Sequence, residues 1–184
     1  MPVFEFTVVL DRAPVDDDVD RLFEAGLDDS VPETRAGRGV LSVARDAETL
    51  AEALAGALSD IARAGFRAVS IEDDDLVSLK TVARRIGRSY ESVRLLASGK
   101  RGAGGFPPQL SGDGWALYSW SLVAEWCSRA GIADVAVVSE ERRLLVAASL
   151  MLRAAETAGT SLGELLPLVA QIAAAEQLAT QARP

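Results

Sequence analysis

SLKTVARRIGRSYESVRLLASGKR, residues 78–101, is the stretch on which the reading of this chain turns. Ser78 stands where a helix cap is needed, and Leu79, Val82, Ala83 and Ile86 follow at i, i+3, i+4 and i+7. That spacing makes one apolar stripe and leaves Lys80, Arg84 and Arg85 toward solvent. Gly87 ends the helix, and Ser89 can cap a second one whose inward face is Tyr90, Val93, Leu96 and Ala97. The opposite face then holds Glu91, Arg94, Leu95 and Ser98. Two short helices joined at a glycine, the second polar on its outer side, follow the helix-turn-helix plan.

The surrounding charge agrees with that plan. Residues 76–130 hold eight Lys/Arg against three Asp/Glu, a local charge of +5 in a chain whose net charge is -8. A clustered positive face attracts a phosphate backbone even when the whole protein carries the opposite sign. Duplex DNA is therefore the expected partner, with Lys80, Arg84, Arg85, Arg88, Ser89, Tyr90, Glu91, Ser92, Arg94, Ser98, Lys100 and Arg101 as candidate contacts and helix 89–99 as the reader of the major groove. Tyr90 can equally pack inward or touch a phosphate. Leu95 suits a thymine methyl or a neighbouring domain.

Beyond these helices come Lys100-Arg101, Phe106-Pro107-Pro108, Leu117-Tyr118-Ser119-Trp120-Ser121 and Glu125-Trp126. Together with Thr81 to Arg94, they resemble the MerR-like winged helix-turn-helix of excisionase and AlpA-type bacterial regulators, over about residues 76–130. The resemblance implies that the second helix enters the major groove, that a wing follows a proline-containing segment, and that a third helix opens at Trp120-Ser121. It puts Arg88, Ser89, Glu91, Ser92 and Arg94 at recognition-helix positions. One departure stands out: the wing turn falls at Gly112-Asp113-Gly114, with an aspartate where relatives carry a basic residue. Lys100, Arg101 and the glycine-rich 102–105 run are the expected substitutes for approach to phosphate.

The remaining segments frame this unit. In residues 1–75, Phe4, Phe6, Val8 and Leu10 alternate as a half-buried strand does. Val15, Val19, Leu22 and Phe23 predict a short helix closed by Gly26. Strands over 30–36 and 40–45 turn at Gly37-Arg38-Gly39. Leu50, Leu54, Ala57, Leu58 and Ile61 mark a second helix with Asp46 near its start, and Val69 and Ile71 a last strand. The order predicts an α+β, ferredoxin-like βαββαβ sandwich. After the winged helix-turn-helix at 76–131, residues 132–184 read as a helical hairpin, Asp134–Ala158 and Ser161–Ala182, kinked or started by Pro167. Apolar residues around most of its circumference from Leu144 to Leu152 make it the candidate surface for a homo-oligomer.

Composition narrows the classes. The chain has no histidine and one cysteine, which removes the commonest general base, the commonest zinc ligand and any internal disulfide. No enzyme, cofactor or metal is expected. The runs Asp16-Asp17-Asp18 and Asp73-Asp74-Asp75 are read as structural, because adjacent carboxylates point different ways. Gly102–Gly105 lacks the Gly-Lys-Ser/Thr ending of a nucleotide loop. Trp115, Trp120, Trp126 and Cys127 are read as core. The longest uncharged apolar run, Leu144 to Leu152, is too short to span a bilayer, and the N-terminus has no basic or apolar leader. A cytoplasmic protein is expected, and the arginine-rich, lysine-poor, alanine-rich composition points to a bacterium with a GC-rich genome. Transcription regulation is the leading reading. The alternatives are a protein-interaction adaptor built on a helix-turn-helix, motivated by the charge of -11 over residues 1–75, and a regulator sensing a ligand through its N-terminal domain.

Overall fold

A computed structural model describes residues 1–102, 104–111, 115–133, 135–136, 138–159, 163, 167 and 169–175. It is a mixed α+β fold built around an antiparallel sheet. The first elements are β1 (Val3–Leu10), α1 (Asp16–Glu24), β2 (Ser30–Arg35), β3 (Arg38–Asp46), α2 (Leu50–Arg63) and β4 (Ala68–Ile71), with sheet order β2-β3-β1-β4. Period two in β1 sends Phe6, Val8 and Leu10 to one face, where they meet Leu41 and Val43 of β3, Ile71 of β4, and Ala53, Leu54, Ala57 and Ile61 of α2. Each fully buried Leu, Ile or Val here contributes about 1.5–3 kcal/mol.

Three local expectations are corrected. The β2–β3 turn is two residues, Ala36-Gly37, with φ of +49° and +77°, while Arg38 and Gly39 already belong to β3. Gly39 is required by crowding, since a Cβ there would lie 2.1 Å from the carbonyl oxygen of Arg12. The cap of α2 is Thr49, whose hydroxyl accepts the Glu52 N–H at 3.2 Å, and not Asp46. In α1 the inward residues are Asp18 and Leu22, while Val15, Val19 and Phe23 are exposed. Asp18 can be buried because Arg12, Arg21 and the Val15 N–H converge on its carboxylate. That keeps the charge paired where an isolated one would be prohibitive.

A second cluster is built from β5 (Leu76–Ser78), α3 (Leu79–Arg85), α4 (Tyr90–Ala97), β6 (Leu117–Ser119) and α5 (Trp120–Arg129). Val77, Val82, Val93, Leu96, Tyr118, Val123 and Trp126 fill its interior. α6 (Glu140–Ala158) then returns to the sheet. It starts at Glu140, with Ser139 as cap, and not near 134, because Ile132, Ala133, Val135 and Val138 before it pack into the second cluster. Leu145, Ala148 and Leu152 lie against the first cluster. Ser149, fully buried, accepts the Ile71 N–H at 3.3 Å and donates to the Ile71 carbonyl at 2.8 Å. The open edge of β4 is thus covered by a helix, one of the ways a sheet avoids an unpaired edge. Residues 163, 167 and 169–175 are helical, with Val169 and Ile172 exposed. Leu162, Leu165 and Glu176, and with them the pairing of a hairpin, lie outside the described residues. No helix among the described residues is long and apolar enough to cross a membrane.

Candidate nucleic-acid interface

Three serine caps set the frame. Ser78 accepts the Thr81 N–H at 3.3 Å, Ser89 the Ser92 N–H at 3.2 Å and Ser119 the Leu122 N–H at 3.3 Å, starting α3, α4 and α5. Each such cap is worth about 1 kcal/mol. Between α3 and α4 the chain reverses at Gly87, φ +66°, where the Arg88 N–H returns to the Ala83 carbonyl at 2.9 Å. A left-handed residue closing a helix in this way is glycine's usual place. β5 and β6 pair antiparallel, Leu76 with Ser119 and Ser78 with Leu117. The Leu110 N–H reaches the Leu117 carbonyl at 2.8 Å, bringing the two sides of the expected wing together. Its expected turn, Gly112-Asp113-Gly114, lies outside the described residues.

α4 buries Val93 and Leu96 and leaves Glu91, Arg94 and Ser98 exposed, with Leu95 half-buried. Tyr90, on the inward side of the helical wheel, is instead 52% exposed. It sits in the first turn, at the edge of the cluster. Arg94 chelates Glu91 through Nη2–Oε1 at 2.6 Å and Nε–Oε2 at 2.9 Å. The hydrogen bond from Arg94 holds the Glu91 carboxyl below its ordinary value and, reciprocally, raises the guanidinium.

Two more of the expected contacts are engaged inside the chain. Arg85 bonds Asp74 Oδ2 at 2.7 Å and lies 4.7 Å over the Trp120 ring. Arg88 donates to the Ile132 carbonyl at 2.7 Å. Lys80, Arg84, Lys100 and Arg101 are exposed and have no ion-pair partner among the described residues. Ser89 serves as the α4 cap, Ser92 donates its N–H to it, and the Ser98 hydroxyl returns to the Leu95 carbonyl at 3.2 Å.

The glycine-rich run is held more firmly than its composition predicts. Trp126 Nε1 donates to the Gly104 carbonyl at 3.0 Å, and Phe106 packs edge-on against Trp126 and Tyr118. At Gly102, φ +83°, a Cβ would meet Leu96 at 2.8 Å. Gly102 therefore packs against the end of α4. Trp120 and Trp126 are buried, but Trp115 is 81% exposed, which corrects its assignment to the core. Cys127 is fully buried, and burial pushes its thiol up.

Sequence reasoning assigned the 73–75 acids to structure without finding their partners. Asp75 accepts both the Ser121 N–H at 2.7 Å and the Ser121 hydroxyl at 2.6 Å, and its carbonyl takes the Trp120 N–H at 2.7 Å. A carboxylate is well placed at this N-terminus of α5. Asp74 pairs with Arg142 as well as Arg85, and Asp73 with Arg153 at 3.2 Å. The run ties α3 and α5 to α6. The only sequence signal was that several arginines far apart in the chain lacked local acids. No grouping of His, Cys, Asp and Glu suited to a metal occurs among the described residues. Compared with protein-family models, with curated proteins and with solved structures, the chain matches none.

Proposed function

We propose that the protein binds duplex DNA sequence-specifically through α4, as a bacterial transcription regulator does, and that residues 76–131 act as a winged helix-turn-helix. The observation that carries this reading is α4 itself, capped, packed on one side through Val93 and Leu96, and polar on the other. The antiparallel β5–β6 pair and the Leu110–Leu117 backbone bond suit a wing. Lys80, Arg84, Lys100 and Arg101 supply phosphate contacts, and Arg94, with Glu91 beside it, supplies a base contact. The β2-β3-β1-β4 order supports the ferredoxin-like assignment of residues 1–75. Self-association through Leu144, Met151, Val169 and Ile172, all exposed, would bring two reading helices to a palindromic site. A cytoplasmic location follows from this role.

Selection of bound fragments from randomised duplexes tests the reading. The expected outcome is an enriched motif, related by inverted repeat if the protein is dimeric. Arg94→Ala should cost about 1–3 kcal/mol and relax the preference at one base. Uniform loss over all sequences would move Arg94 to a phosphate role, and absence of enrichment would remove the proposal. A second reading has its own observation: Arg85, Arg88 and Arg94 are all engaged within the chain. A helix-turn-helix whose arginines are so committed can serve as a protein-interaction adaptor, and in that case α4 substitutions weaken a protein complex and leave DNA retention at zero.

A further inference from the structure

α6 carries apolar residues on two stripes. One, Leu145, Ala148 and Leu152 with Ser149, lies on the first cluster and the β4 edge. The other, Arg143, Val146, Ala147 and Leu150 at i, i+3, i+4 and i+7, lies about 160° away at 100° per residue, on the opposite side of the helix. It faces Leu122 of α5, Leu76 of β5 and Leu110, but does not close on them. A groove of about 360 Å³ remains between the helix-turn-helix unit and α6. Leu76, Leu110, Leu122 and Leu150 are 41–56% exposed along it. Its size and its apolar walls with few polar groups are those of a small-molecule site.

The polar groups at the groove decide the class of ligand. Asp75 is saturated by Ser121, and Asp73 by Arg153 and the Asp75 N–H. Arg143 is different. Its guanidinium has Glu125 Oε2 at 3.5 Å, with no hydrogen bond from it among the described residues, and it lines the groove. A guanidinium held only by this 3.5 Å ion pair, beside leucines, can exchange Glu125 for the carboxylate of an anion with an apolar body. We propose that this groove binds an amphipathic carboxylic acid, its chain on Leu122, Val146 and Leu150 and its carboxylate on Arg143. Because α6 is fixed to the sheet by Ser149 and Leu122 belongs to the helix-turn-helix unit, such a ligand would bridge the two. Occupancy would then alter DNA binding, a consequence that rests on the function proposed above.

The direct test needs no DNA. Octanoate and octylamine are titrated into the full chain by calorimetry, with 1-anilinonaphthalene-8-sulfonate displacement as a second readout. Saturable one-to-one binding of octanoate, with octylamine at least about tenfold weaker, is expected. Ala147→Trp, at an exposed helix position that tolerates bulk, should abolish binding while leaving the circular dichroism and the melting temperature unchanged. Arg143→Gln should erase the preference for the anion. Equal binding of both amphiphiles, or full binding by Ala147→Trp, would overturn the proposal. So would a wild-type dimer that Ala147→Trp converts to monomer, since a second copy would then own the groove. A positive result here with no DNA selection would leave the ligand site standing and the DNA reading refuted.

Discussion

Arg94 and Glu91 compete for the same decision at the residue scale. Bound to Glu91, the guanidinium is half neutralised on the face that should meet DNA. Exposed pairs of this kind hold weakly, because solvent screens them. Glu91→Gln should therefore strengthen DNA binding by about two- to fivefold at low salt, read by fluorescence anisotropy; weaker binding would mean that the carboxylate itself contacts a base. The pH dependence has a defined sign. Because the Glu91 carboxyl is held below its ordinary value, the pair persists above that value and is lost as pH falls through the lowered one. Asp75 belongs to the same scale but to stability. Its two bonds to Ser121 are charge-assisted, so Asp75→Ala should cost about 2–4 kcal/mol in urea unfolding, whereas a loss within error would show that water replaces it. Cys127, buried with its thiol pushed up, should resist 5,5′-dithiobis(2-nitrobenzoate) at pH 8 until denaturant exposes it.

At the scale of elements, the features visible in sequence were those fixed locally. Ser78 and Ser89 cap their helices and Gly87 ends the first because each acts on a neighbour three or four residues away. Trp120-Ser121 opens α5 for the same reason. The apolar face of α1 was misread because Asp18 is made buriable by Arg12, which lies outside that helix. The 144–152 stripe hid two surfaces, since periodicity counts apolar residues but does not say what faces each. The three-residue strands β5 and β6 were not read from the sequence, being too short to show alternation. Ser149 gave no signal at all: its partner is a backbone edge 78 residues away. Ser149→Ala removes both bonds to Ile71 with little change of volume and should cost about 1–3 kcal/mol. Hydrogen exchange at the Ile71 amide should rise with it, and an unchanged rate would argue that α6 is held without that contact.

At the scale of the molecule, charge is segregated along the chain, with -11 in residues 1–75 and +5 in residues 76–130. The Asp73-Asp74-Asp75 run at their junction binds Arg85, Arg142 and Arg153, so part of the acidic surplus is spent on joining the two halves. On the proposed reading, the cations offered to phosphate are Lys80, Arg84, Lys100 and Arg101, which have no ion-pair partner among the described residues. Light scattering should give twice the 19.4 kDa chain mass if the exposed apolar residues of α6 and 169–175 pair two copies; a single-chain mass would remove that part. The central claim is tested most directly by the affinity for duplex DNA as a function of salt. Four neutralised phosphates per chain predict a slope of log K against log salt of about -3.6, reduced by about 0.9 in Arg84→Ala. No binding at low salt, or binding indifferent to salt, would contradict it.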